Sequence, residues 1–246
     1  LVIDNGAYTA DAGFFSQLAA MHALGPYKIP NVLAEAHLAY TNHQPSGSVR
    51  APTAPQTCWA LESHTDEVAK KLGMDPVDFR LKNYARREDG DKISKLPFAS
   101  IGMEECITKG AEAIGWKGRW QKPGASAGHL KRGLGMAVHA CRHGAMTVPS
   151  SGLVRVNSDG TVNVLTGTAD IGGGQKGFMD MIAAEELGVP LEAVSVTAAD
   201  TDVTTDTGGS SGSRQTMTGG TGIKLAAADA KRQILEVAGR ELKTDP

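Results

Sequence analysis

The sequence predicts an α+β protein, two mixed α/β subdomains with sheets covered by helices, and three features carry that expectation. Val32, Ala34, Ala36, Leu38 and Tyr40 recur at every second position, as in a half-buried strand. Val154 and Val156 face Val162 and Val164 across Asp159-Gly160, a hairpin signature. Strands and helices then follow in the order ββαβα, not in strict alternation, which favours helix layers on mixed sheets.

In chain order, LVIDNGAY reads as a strand interior with no initiator methionine, the expectation for a piece of a longer protein. Pro45-Ser46-Gly47 ends the period-two strand. Thr53-Ala54-Pro55-Gln56 has the form of a capping box, followed by Cys58, Leu61, Thr65, Val68 and Leu72 at helical spacing, with Gly73 as the stop. Asp75-Pro76 is a second helix start, N-cap followed by proline, with Val77, Leu81 and Tyr84 turned inward and the charged run 86–91 as a solvated exit. A third helix is expected near 102–114. The stretch 117–129, rich in Gly, Lys, Ser and Ala, places a subdomain boundary near 126 and gives domains 1–125 and 126–246. Gly135 to His139 reads as a strand, the hairpin follows, and a helix at about 178–187 stops at Gly188 and Pro190. Val194-Ser195-Val196 is a strand, and a last helix covers about 214–240.

A formal net charge of −2 with 21% charged residues gives no electrostatic basis for binding nucleic acid or an anionic membrane. No apolar run approaches the roughly 20 residues that span a bilayer. The three cysteines are odd in number and not in CxxC spacing, so neither a disulfide framework nor a structural zinc site is indicated, and a cytoplasmic location is expected. Glycine, at 30 residues, exceeds the roughly 7% of ordinary proteins and clusters in polar loops, as where backbone approaches a ligand.

Three loops carry candidate chemistry. Gly172, Gly173, Gly174, Gln175, Lys176 and Gly177 leave a strand and enter a helix, so backbone amides, the positive helix end and two side-chain donors face one place. The loop is neither a phosphate-binding GxxxxGK[ST] nor a dinucleotide GxGxxG, and alone it fits a plain tight turn equally well. Ser210, Ser211, Gly212, Ser213, Arg214 and Gln215 form a second candidate nest, with Arg214 as a bidentate phosphate fork; the bland reading is a flexible Ser-Gly linker. Gly47, Ser48, Val49, Arg50 and Ala51 form a strand-to-helix turn whose alternative is a simple helix entry. Asp200, Asp202 and Asp206 have the wrong spacing for a calcium loop and read as cap and turn residues. His139, Cys141 and His143 could hold a metal on paper, but without a second cluster they read as structural, and no metal ligand is assigned.

Six blocks resemble, in matching order, the molybdenum-binding large subunit of the xanthine dehydrogenase and aldehyde oxidase family: GAYTADAG, ALGPYKIPNV, YTNHQPSGSVRAPTAPQ, ESHTDEVAKKLGMDPVDFRLKN, DIGGGQKGFMDMIAAEELGVP and DTDVTTDTGGSSGSRQTMTGG. The resemblance implies a fold of molybdopterin-binding type, with 1–125 part of the first cofactor-binding subdomain and 126–246 the start of the second. It implies molybdopterin, in bacteria often as the cytosine dinucleotide, with 47–51 near the metal, 172–177 at the pterin and its phosphate, and 210–215 at the dinucleotide. The implied chemistry is hydroxylation of an aldehyde or N-heteroaromatic small-molecule substrate with water as oxygen source. Implied partners carry FAD and [2Fe-2S] centres, on subunits or domains, in a dimer of heteromers. The family's glutamate base, in a GxGE-like motif, has no match here, so no catalytic residue is assigned and the chain alone is expected to be inactive. Two departures stand out: Val49 replaces the usual aromatic before the arginine, and GGGQKG replaces GQG followed by a hydroxyl residue. The cysteine that marks the carbon monoxide branch is not in the first loop, where Ala51 and Pro52 follow Arg50. The rival reading is a non-catalytic nucleotide-binding, phosphate-binding or assembly module.

Overall fold

The computed structural model describes residues 1–8, 12–140 and 149–245, in two compact units, Leu1–Arg142 and His143–Pro246. Helices and strands both occur in each, so the α+β class holds. No described helix is long and apolar enough to cross a membrane.

In the first unit, β1 (Val2–Gly6) pairs in parallel with β2 (His37–Tyr40). The expected strand from Val32 is shorter than its pattern: Ala34, Ala36 and Leu38 are half-buried, yet ladder bonding starts only at His37, because β1 is the partner and offers five residues. Between these strands lies α1 (Ala12–Ala23), which the sequence reading did not assign; Phe15, Leu18, Ala19 and His22 form its buried stripe at helical spacing.

Helix α2 (Ala54–Lys71) begins where expected, but not through a capping box. Thr53 sits in the left-handed region (φ 64°) and its side chain caps nothing on α2. Of the expected inward face, Thr65 is buried and Leu61 packs against the core, but Leu72 does not join them. Leu72 is 62% exposed, while Thr57, Glu62, Thr65 and Ala69 are buried. The cause lies on α3 (Pro76–Asn83), whose Arg80 is fully buried and donates from Nε to Glu62 Oε2 at 2.8 Å and from Nη1 to Asp66 at 2.7 Å. Asp75 caps α3 as expected, accepting from the amides of Val77 and Asp78.

Glu62 receives two further donors, the Tyr27 hydroxyl at 2.5 Å and the Val138 amide at 2.8 Å. Burial, and then the bond to Glu62, push the Tyr27 hydroxyl well above its ordinary pKa. The Val138 contact corrects the strand expected through Gly135 to His139: no strand forms there, and the Val138 amide goes to a carboxylate on a helix instead of a neighbouring strand. Helices α4 (Met103–Ala113) and α5 (Trp116–Arg119) complete a core of Tyr27, Val77, Ile107, Trp116 and Val138.

In the second unit the described sheet has the order β3–β4–β5: β3 (Leu153–Val156) antiparallel to β4 (Val162–Thr166), and β5 (Val194–Ala198) parallel to β4. Val154 pairs with Val164 and Val156 with Val162, the register read from the sequence. Helices α6 (Gln175–Leu187) and α7 (Gly220–Leu242) cover the sheet, with Val164, Met179, Ala183 and Ile223 fully buried between the layers. Gly188, at φ 77°, closes α6 as expected.

Replacing Arg80 with Met should leave the Glu62 carboxylate buried without its cation. A loss of about 3–5 kcal/mol is expected, read from the urea midpoint of the first unit's unfolding, whereas Lys70→Met on the exposed face of α2 should leave that midpoint almost unmoved.

Candidate functional site

Strand β4 ends at Thr166, and the segment Thr166 to Thr168 seats both glycine-rich loops of the second unit. Thr166, Thr168 and Thr207 are all buried. Thr166 Oγ1 donates to Thr168 Oγ1 (3.0 Å), and Thr168 Oγ1 donates to Gln215 Oε1 (3.0 Å) and lies 3.4 Å from Thr207 Oγ1. Gln215 Nε2 reaches back to Gly208 O at 3.4 Å and Ser210 Oγ at 3.3 Å, and Ser210 Oγ donates to Ala169 O at 2.9 Å. A Cβ at Gly167 would lie 2.1 Å from Thr205 O, so only glycine lets the two loop roots approach this closely. The structure therefore joins the root of the 172–177 loop to the 210–215 loop within one unit.

On the first of these loops, Gly172, Gly173, Gly174, Lys176 and Gly177 are exposed and Gln175 is buried. Two amides are already engaged, Gly172 N by Asp170 Oδ1 (2.9 Å) and Gly173 N by Gln175 Oε1 (3.1 Å). Gly174 is the N-cap of α6 at φ 73°, and no side chain caps the helix, so the first-turn amides of Gln175, Lys176 and Gly177 face outward with the helix dipole behind them. On the second loop Ser211 and Ser213 are exposed, and Ser210 and Gly212 half-buried. Arg214, read from the sequence as a phosphate fork, is 2% exposed; its Nη1 donates to Gly209 O (3.3 Å) and its Nη2 to Pro149 O (3.2 Å), so this guanidinium braces the loop from beneath. A π-helical turn, Gln215–Gly219, then leads into α7. Asp200 and Asp206 accept from the amides of Asp202 and Gly208, the turn roles expected of them.

The remaining loop belongs to the first unit. Gly47, Ser48, Val49 and Arg50 are exposed and Ala51 half-buried. Ser46 anchors its start, donating from N and Oγ to Asn5 O and Oδ1, both at 3.1 Å. Its end is strained: Ala51 (φ 59°) and Thr53 (φ 64°) are both left-handed, at a cost of about 1–3 kcal/mol each. A cleft of about 360 Å³ lies against this loop, lined among others by Asp4, Phe15, Gly47, Val49, Pro52 and Thr53. Hydrogen bonds from Thr41, then His43, then the Gly6 amide pull the Asp4 carboxyl down to about 2. Cys141 and His143, two members of the His/Cys cluster, lie outside the described residues; His139 stacks edge-on against His22, ring centroids 5.7 Å apart.

The buried hydroxyl ladder was not singled out from sequence. Its signal was present in the alternation Thr166, Gly167, Thr168 at a strand end, where a run of hydroxyls leaving a sheet needs partners on the adjoining loop.

Comparison with known proteins gives this arrangement its class. Family models described as molybdopterin cofactor-binding domains match residues 1–84 and residues 109–246. The xanthine dehydrogenase molybdenum-binding subunit of Escherichia coli O157:H7 is 34% identical over 200 residues, covering 80% of this chain and 27% of that protein. The aldehyde oxidoreductase molybdenum-binding subunit PaoC of Escherichia coli (strain K12) is 33% identical over 199 residues, covering 79% of this chain and 26% of its own length. The crystal structure of quinoline 2-oxidoreductase from Pseudomonas putida 86 superimposes with a TM-score of 0.83 at 26% identity, over 99% of this chain and 33% of that one. The chain belongs to the xanthine dehydrogenase and aldehyde oxidase family of molybdenum-binding large subunits, and it spans about a quarter to a third of the length of these relatives.

Removing the Thr168 hydroxyl with Thr168→Val should cost about 1–3 kcal/mol, because Gln215 Oε1 and Thr166 Oγ1 lose a buried partner; chemical denaturation of the second unit measures it. Asp4, with its folded pKa about 2 against 3.8, favours the fold once pH exceeds its ordinary value, and that contribution disappears as pH falls through about 2. The carboxyl carbon shift of Asp4, followed by NMR from pH 5 downward, should show this depressed midpoint, and Thr41→Val should raise it.

Proposed function

We propose that this chain holds the cofactor of a molybdenum hydroxylase, binding molybdopterin in its cytosine dinucleotide form, and that the full protein hydroxylates an aldehyde or N-heteroaromatic substrate with water as the oxygen source. The observation that carries the reading is the junction of the two loops of the second unit through Thr168, Gln215 and Ser210. It gives a single anionic group two neighbouring sets of donors. The relatives and the structural neighbour, named for xanthine, aldehydes and quinoline, support the substrate class.

The residues present fit such a group. Nothing lies within 4 Å of the Cβ positions of Gly172, Gly174 and Gly177, so a phosphate can approach the backbone there. In this reading the amides of Gln175, Lys176 and Gly177 bind the phosphate and the Lys176 ammonium adds a cation. Ser210, Ser211 and Ser213 supply hydroxyls along the dinucleotide, Gly212 keeps its approach open, and Arg214 and Gln215 hold their loop in shape. We also assign Gly47 to Ala51 a cofactor-binding role, in which the exposed Val49 offers an apolar side chain and the exposed Arg50 a cation. When bound, the cofactor supplies the two-electron redox centre. We further assign a cytoplasmic location, and electron transfer to iron–sulfur and flavin partners in a dimer of heteromers.

Metal analysis and pterin fluorescence of the full-length protein, purified with its natural partners, test the reading. Molybdenum and pterin are expected in equal amounts. Gly174→Val, which strains the α6 N-cap and fills the cradle, should lower both by roughly tenfold or more. A preparation that oxidises these substrates yet contains neither would overturn it.

A further inference from the structure

We propose that His22 is a positioning residue that latches the strained turn 51–53, and with it the backbone of the 47–53 loop, through its hydrogen bond to Thr53. The importance of that loop rests on the function proposed above; the latch itself rests on geometry. A β-branched residue at φ 64° is held there only when its surroundings over-determine it. Two sets of contacts do so. The Thr53 carbonyl accepts from Thr57 N (3.0 Å) and Thr57 Oγ1 (2.8 Å), which fixes the peptide leaving the turn. The Thr53 hydroxyl, which a helix N-cap would turn onto its own first-turn amides, instead shares a hydrogen bond of 3.2 Å with His22 Nδ1.

His22 is well placed to act as the fixed end. It is 2% exposed, it closes the buried stripe of α1, and its ring packs edge-on against His139, so it cannot follow the loop outward without opening the helix packing. The same helix carries Phe15 and Ala19, which line the cleft of about 360 Å³, and Gly47, Val49, Pro52 and Thr53 line it from the loop. One hydrogen bond therefore ties the loop side of that cleft to the helix side, and its loss frees the loop to change the width of the cleft.

Hydrogen–deuterium exchange of the 45–57 segment, in the full-length protein with its cofactor content measured in parallel, tests the latch. Thr53→Val and His22→Leu, which remove the hydrogen bond, should speed exchange across the loop by roughly three- to tenfold, the size expected of one buried hydrogen bond. Thr53→Ser and His22→Asn, which can restore a partner, should stay near wild type. The proposal is overturned if Thr53→Val exchanges like wild type, or if the restoring variants are as fast as the removing ones, since packing alone would then hold the turn. Should His22→Leu fail to fold, the Thr53 pair decides. If wild type carries no cofactor but exchange responds as stated, the latch stands and the functional reading falls; if cofactor is present and exchange does not respond, only the latch falls.

Discussion

Glu62 is 4% exposed, and a carboxylate so far from water is tolerable only because three donors converge on it: the Arg80 guanidinium, the Tyr27 hydroxyl and the Val138 amide. Each donor comes from a different part of the first unit. Arg80 brings α3 against α2, Tyr27 brings the connection between α1 and β2, and Val138 brings the segment that follows the helices. Removing any one would leave the others around an under-satisfied charge, so the set behaves as a single fastening. The inward face of α2 follows from it. With Glu62 fixed inward, Thr65 and Ala69 turn inward with it and Leu72 faces solvent, although hydropathy alone would favour Leu72 over Glu62 for the core. Since α2 begins directly after the strained turn, the same fastening decides where the 47–53 loop must end.

The second unit reaches rigidity by neutral groups. Its three buried threonines and Gln215 form a chain in which each described polar atom meets another, and the loops that leave it are held at their roots while their outer faces keep exposed glycines and serines. This division has a physical purpose. Donors intended for a ligand are useful only if they do not reorganise when it arrives, and the cheapest way to hold them is to satisfy every neighbouring polar group internally. Asp170 and Gln175 do this for Gly172 and Gly173, which leaves the first-turn amides of α6 as the outward set.

Local rules written into the chain were legible before the fold was known. Asp75 before Pro76, Gly188 before Pro190, and the valines flanking Asp159-Gly160 each specify an element through contacts only a few residues away, and each appears where the pattern puts it. What escaped the sequence depends on distant partners. The capping box at Thr53 has the right letters, but His22, 31 positions earlier, takes the hydroxyl. Gly135 to His139 has strand-forming residues, but the amide of Val138 finds Glu62 before it finds a strand. The glycine loops were visible through composition, whereas the threonines that seat them look ordinary until β4 and the 207–215 loop are adjacent. Helix α1 carries a regular buried stripe, and Asp11 before it and Gly25 after it are start and stop residue types, so its signal was present in the sequence although the reading assigned no helix there.

The two kinds of candidate loop solve one problem in opposite ways. Between 172 and 177 the left-handed positions are glycines, whose conformations cost little, so the loop can take its shape with few supporting contacts. Between 51 and 53 the left-handed residues are alanine and threonine, and the strain must be offset by the Thr57 and His22 bonds. A glycine loop keeps its geometry even if its neighbours shift; a strained loop keeps its geometry only while its supports are in place. The first unit therefore links the shape of its exposed loop to the integrity of its core, through α1 on one side and α2 on the other. The second unit's loop is preset by local chain chemistry, whereas the shape of the first unit's loop depends on whether the helices beneath it are correctly packed.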